Sequence, residues 1–255
     1  MLDFHKAKPI KRLGAYVIDL ILLLVITTAV ALAMYSAMDY NAYEDKYEMS
    51  CEKYGQQFGV DLSASRADQA ELSEAEQEKY LAAWEALNAD EETMDALKQM
   101  LRIELLSLMV GFLVGYVILE IMIPLIFKNG QTVGKKILGL CVMHKYHVRV
   151  GFMQIIYRTI LGKYFIETLI PVVMLVLSDY GVLGMTASLV LAAIAMTQGF
   201  IVMMSQANCG IHDKLFNTVV ADFKKQHIFD TWNDRFDFEE AYEKEMAERE
   251  AAYGG

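Results

Sequence analysis

Three carboxylates stand inside apolar runs, where a charge is costly: Asp19, Glu120 and Glu167. Asp19 is the one formal charge between Gly14 and Met38, Glu120 lies near the end of the run from Ile103 to Phe127, and Glu167 falls in the run that ends at Leu177. An ionisable group at the middle of a spanning helix costs about 2.5–3.5 kcal/mol on insertion scales, so each of these marks a position facing protein or water. Asp19 is seven residues past Arg12, Glu120 eight before Lys128, and Glu167 nine past Arg158. At the helical rise this is about 10–14 Å from a boundary charge in all three cases. The three acids therefore share one depth, and Lys163 lies one turn before Glu167. The chemistry this allows is cation or proton handling, with Asp19 and Glu120 taking up the ion and Glu167 paired with Lys163. The same residues also suit a structural role, because buried polar pairs orient membrane helices at about 0.6 kcal/mol each. Both readings stand on the sequence.

Other chemistries are weakly supplied. Gly130-Gln131-Thr132-Val133-Gly134-Lys135-Lys136 superficially resembles a phosphate loop. It has three residues rather than four between its glycines, and a lysine where a magnesium-binding hydroxyl belongs. A tight turn built on Gly130, Thr132 and Gly134 is the better account, with Lys135 and Lys136 beside anionic lipid head groups. His144, His147 and His212 match no zinc spacing. Cys51, Cys141 and Cys209 are too far apart for a metal motif or a disulfide framework. Neither a hydrolase triad nor HExxH is present, so no enzyme, cofactor, metal centre or nucleic-acid partner is expected.

The elements that must position these residues are membrane helices. At 55% hydrophobic residues with several unbroken apolar runs, the chain is expected to be an all-α, polytopic transmembrane bundle of four spans. The basic start followed by an apolar run is too long for a cleavable signal and is taken as the first span. The expected divisions are residues 1–38 as tail and first span, 39–102 as an outer helical insert, 103–222 as the core with three spans, and 223–255 as a charged terminal helix. The insert holds 16 acids and 5 bases between Asp39 and Met100, whereas Lys128 to Arg158 holds six Lys or Arg and no acid. By the positive-inside rule both termini are cytoplasmic and the insert lies outside, in the plasma membrane. The first helix is expected to extend through Tyr40, Tyr43 and Tyr47, and Ser73 with Glu76 has capping-box spacing. A short hairpin is expected from Ile137–Met143 to Val148–Val150, with a surface helix from Gly151 to Arg158 and the third span running from about Thr159 or Leu161 to Leu177. The fourth span is Val182 to about Met204.

Four islands carry a family resemblance: Arg12-Leu13-x-Ala15-x-x-Ile18-Asp19; Gly130-Gln131-Thr132-x-Gly134-Lys135 with Leu138-Gly139-Leu140; Arg158; and His212-Asp213-Lys214 with Thr218-Val219-Val220. Together they resemble the RDD family of membrane proteins, named for one arginine and two aspartates, which map to Arg12, Asp19 and Asp213. The resemblance covers roughly residues 10–222. The acidic insert is longer than the family core requires, and a pair of spans after Arg158 exceeds the usual three-span count. What the resemblance implies is a membrane protein for which transport, including cation–proton antiport, has been suggested. The expected function is movement of a small cation or solute, with Arg12 or Arg158 neutralising Asp213 at the inner rim. The alternative is a non-transporting scaffold or assembly factor that binds protein partners, and a homo-oligomer is compatible with either.

Overall fold

The computed structural model describes residues 7–62, 73–128, 130–180 and 210–253, with 189, 190, 193 and 196 as isolated helical positions. The fourth expected span therefore lies almost entirely outside the described residues, as does Cys209. In chain order the elements are α1 (Pro9–Ala37), α2 (Tyr40–Phe58), α3 (Glu74–Ala89), α4 (Glu91–Phe127), α5 (Val133–Ile137), β1 (Leu140–His144), α6 (Phe152–Ser178), α7 (Ile211–Leu215), β2 (Thr218–Asp222) and α8 (Trp232–Tyr253). Helix dominates because a chain in lipid must satisfy its backbone internally. Helices α1, α4 and α6, of 29, 37 and 27 residues, are long and apolar enough to cross a membrane.

The described chain divides into two compact units, residues 28–111 and residues 1–27 with 112–255. In the first, α2 and α3 pack through Leu62, Ala83 and Leu87, with Tyr54, Phe58 and Trp84 around them. The expected continuation of the first helix through Tyr40 is broken. Asp39 adopts the left-handed conformation, φ 52°, so α2 starts afresh, and Tyr35 stacks on Tyr40 with ring centroids 4.5 Å apart. At the start of α3 the Glu76 carboxylate accepts from the Ser73 amide at 2.9 Å and from its hydroxyl at 2.6 Å. That satisfies an amide that would otherwise be orphaned.

In the second unit the helical fold also holds a two-stranded antiparallel sheet, which pairs Leu140 with Asp222 through to His144 with Thr218, a partner not expected from sequence. The expected hairpin is present in short form: Met143 bridges Arg149 in antiparallel fashion, the His144 amide donates to the Val148 carbonyl at 2.8 Å, and His147 takes φ 63° in the turn. Residues Leu140 to Met143 are buried on both faces. They pair along their length with Thr218–Asp222, which supplies Val219, Val220 and Ala221, and through Met143 with the short segment at Arg149, whose neighbours Val148 and Val150 are buried. The surface helix expected over Gly151–Arg158 continues without a break into the third span as α6.

Two stretches are wound as π-helix, Val117–Met122 in α4 and Arg158–Leu169 in α6. A proline follows closely in each case, Pro124 and Pro171, and its missing amide interrupts the α ladder. Wide turns of this kind occur preferentially at functional sites. These two carry Glu120, Arg158, Lys163 and Glu167.

Candidate functional site: a buried ion-pair cluster

Asp19 projects from α1 toward the segment before α5. Its carboxylate accepts from the Thr132 hydroxyl at 2.5 Å and from the Gly134 amide at 2.8 Å. Thr132 is the N-cap of α5, its hydroxyl lying 3.4 Å from the Lys135 amide. The approach of the two elements is close enough that a Cβ at Gly134 would lie 2.3 Å from the Ala15 carbonyl oxygen. Glycine is thus required at Gly134 by contact rather than by backbone angle. Gly130, by contrast, needs its freedom for φ 61°.

The link from Asp19 to Glu120 runs through Lys135. Its ammonium donates to the Thr132 hydroxyl at 3.2 Å and lies 4.0 Å from Glu120 Oε2. Lys135 was expected at the lipid surface and is instead buried, while Lys136 remains exposed with its ammonium 3.4 Å from the Phe127 ring centroid. Burial pulls the Lys135 ammonium down to about 8, and the Glu120 carboxylate opposes that fall.

Glu120 gathers three cations. Lys163 donates to Oε1, while Arg158 Nη1 stands 3.8 Å from Oε2. Glu120 is only 6% exposed, yet among the described residues its Oε2 receives no hydrogen bond. The expected pairing of Lys163 with Glu167 is therefore replaced. Glu167 instead takes the ring nitrogen Nδ1 of His212 at 2.7 Å and accepts from the His212 amide at 3.2 Å. Helix α7 reaches this position because Gly162 lets it approach: a Cβ there would meet His212 Cβ at 2.6 Å.

Asp213 is the most enclosed acid of the cluster, 1% exposed. Arg158 donates to its Oδ1 from Nε at 3.0 Å and Nη2 at 2.9 Å, and the Thr218 hydroxyl donates at 2.8 Å. Arg12 Nη2 lies 3.6 Å from the other oxygen. Burial alone would raise this carboxyl, but His212, Arg158, the Thr218 hydroxyl and Arg12 hold it far below the usual carboxylate range. His212 itself is pushed below its ordinary value, first by burial.

Arg12, Asp19, Glu120, Arg158, Lys163, Glu167 and Asp213 thus fall into one linked network, together with Lys135, His212, Thr132 and Thr218, which reasoning from sequence left outside it. The carboxylates Asp19, Glu120, Glu167 and Asp213 face the cations Arg12, Lys135, Arg158 and Lys163, four against four, with His212 placed between Glu167 and Asp213. The usable signal was the hydroxyl and ammonium of Thr132-x-Gly-Lys135 in a segment following a spanning helix. Among the described residues no group of three or more His, Cys, Asp or Glu side chains is arranged to hold a metal ion.

The model of the RDD family matches residues 6–217. The chain therefore belongs to the RDD family, and with three helices fit to span a bilayer it is an integral membrane protein. No curated protein and no solved structure matches it.

Proposed function

We propose that this RDD family protein transports a small cation or solute by cation/proton exchange through the buried carboxylate cluster. The observation that carries the reading is Glu120, whose Oε2 is buried and held by charge alone, with Arg158 and Lys135 at 3.8 and 4.0 Å and no hydrogen bond among the described residues. A carboxylate oxygen without a pinning donor can exchange its counter-ion for a mobile one, whereas Asp213 Oδ1, which accepts from three donors, is a fixed anchor. The balance of charges supports exchange over net uptake, since a cation entering a neutral, low-dielectric cluster is tolerated only if a positive charge leaves. In this reading the protein rearranges ions and remakes no covalent bond.

The distribution of charge supports an orientation in the plasma membrane with both termini and the connecting segments cytoplasmic. The exposed Lys128 and Lys136 would then face anionic head groups. Proteoliposomes tested over alkali-cation and pH gradients should show flux with wild type and at least a tenfold loss in Asp19→Asn and Glu120→Gln. Folded wild type that moves nothing across the whole panel overturns transport. A second reading, a non-transporting scaffold or assembly factor, is favoured by one feature of the network: each of its formal charges already lies within 4.0 Å of an opposite charge or a hydrogen-bond partner.

A further inference from the structure

Among the described residues, helix α8 is anchored at its start. Trp232 packs edge-on against His144, ring centroids 5.1 Å apart, and against Tyr146 at 6.0 Å, while Phe238 lies 5.3 Å from Phe229. From Glu240 to Ala251 every residue is exposed. Phe238, Tyr242 and Met246 follow one another at four-residue intervals and form an exposed seam along one side. A helical stretch of this length is marginal in water without tertiary packing. A seam held in register on an unpacked helix calls for a partner.

The charge of the helix selects that partner. It carries eight acids, Asp234, Asp237, Glu239, Glu240, Glu243, Glu245, Glu248 and Glu250, against Arg235, Lys244 and Arg249. A second α8 laid along this one, or an anionic bilayer surface, would meet like charge. The complementary surface lies on the same chain. The connecting segments expose Lys145 beside the His144 end of the sheet, Lys224 and Lys225 just past its Asp222 end, and Lys214 in α7. Exposed apolar residues accompany them, Leu215 and Phe223. Within one copy, the acidic half of α8 does not cover these lysines, for both remain exposed.

We propose that residues 240–253 of α8 dock on the lysine-bearing connecting segments of a second copy, so that two copies exchange their C-terminal helices about a two-fold axis. The contact is isologous: each copy gives one acidic helix and receives one, along about 21 Å of helix. Its apolar part is Tyr242 with Met246, one and two turns beyond the anchoring Phe238, and its selectivity is electrostatic, so it weakens as salt rises. None of the cluster residues takes part, and the contact stands or falls independently of transport.

The full chain in detergent without added lipid, weighed by light scattering, tests this. It is expected to be a dimer at 50 mM NaCl, with a dissociation constant at least tenfold weaker at 500 mM. Lys224→Glu with Lys225→Glu should weaken the dimer at least tenfold, and Glu240→Lys with Glu243→Lys and Glu248→Lys should do the same. Combining the two sets should restore it. These positions are all exposed, so the variants keep the fold. A monomer at 50 mM NaCl, or a dimer indifferent to reversal of the α8 charges, overturns the proposal. A dimer lost on α8 reversal but untouched by the lysine reversal also overturns it, because the docking surface would lie elsewhere.

Discussion

Replacing Asp213 by Asn should be among the most damaging single changes in the chain. Asp213 is almost fully enclosed and receives two hydrogen bonds from Arg158 at 2.9 and 3.0 Å and one from Thr218 at 2.8 Å. Asparagine keeps one acceptor oxygen but removes the charge, leaving Arg158 and Arg12 facing a neutral group. An arginine cannot lose its proton to escape a buried, uncompensated position. Breaking a buried pair from one side costs about 3–5 kcal/mol. In a chain of this size each kcal/mol moves the unfolding midpoint by about 2–4 °C, so the shift should be about 6–20 °C downward. The assay is thermal unfolding of purified protein in detergent, followed by intrinsic fluorescence at one fixed heating rate. The companion variant is Arg158→Met with Asp213→Leu, which removes both charges together and should recover at least half of the loss. A shift below about 3 °C for Asp213→Asn, or a double variant as damaged as the two single ones added, would refute the view that this pair is a buried charge couple.

Close approach gives a second outcome. Gly134→Ala places a Cβ 2.3 Å from the Ala15 carbonyl oxygen and should cost about 1–3 kcal/mol as α1 is pushed from α5, whereas Gly151→Ala meets nothing within 4 Å and should stay within about 0.5 kcal/mol. The same unfolding assay reads both. A third concerns Cys141, whose thiol burial pushes up to about 12. Since the thiolate is the reactive form, at pH 8 it should be present at about one part in ten thousand, and labelling by a maleimide should be at least a thousandfold slower than for a free thiol. Mass spectrometry of a Cys51→Ser, Cys209→Ser background measures that rate; brisk labelling of folded protein would contradict the buried ladder.

That Asp19, Glu120 and Glu167 belong together was legible from sequence, because helical rise counted from the flanking charges puts them at matching positions along their helices. Asp19, Glu120 and Glu167 do enter one network, as do Arg12, Arg158 and Asp213. The arginines at Asp213 were legible, but the partner of Lys163 was not. A lysine one turn before a glutamate on the same helix suggests pairing, yet the π-wound stretch Arg158–Leu169 carries Lys163 to Glu120 on α4, and Glu167 is left to His212. The connecting segment departs from its sequence pattern for a related reason. A glycine-lysine run after a spanning helix reads as a solvated turn, whereas the Asp19 carboxylate draws in the Gly134 amide and the Thr132 hydroxyl and carries Lys135 inward with them. The sheet has no local signature because 73 residues, Lys145 to Asn217, separate its strands, and pairing at that separation leaves no local pattern.

The two ends of the network differ in how they can respond to loss of a carboxylate, and the difference follows from the kind of base at each. Asp213 is surrounded by arginines, which stay charged. Glu120 is surrounded mainly by lysines, with Arg158 keeping Asp213 as its own counter-ion. When Glu120→Gln removes the carboxylate, Lys135 can respond by releasing its proton, having already been drawn down to about 8. Its folded value lies below the unfolded lysine value, so between the two the unfolded chain binds more protons and stability rises with pH. Loss of Glu120 removes the charge that opposed this fall and moves the onset lower. Glu120→Gln should therefore lower the unfolding midpoint less than Asp213→Asn at pH 7, and its deficit should shrink from pH 7 to pH 9 while that of Asp213→Asn does not. Equal deficits at both pH values would mean that the lysines at Glu120 are held as rigidly as the arginines at Asp213, and the exchangeable character assigned to that end of the cluster would be lost.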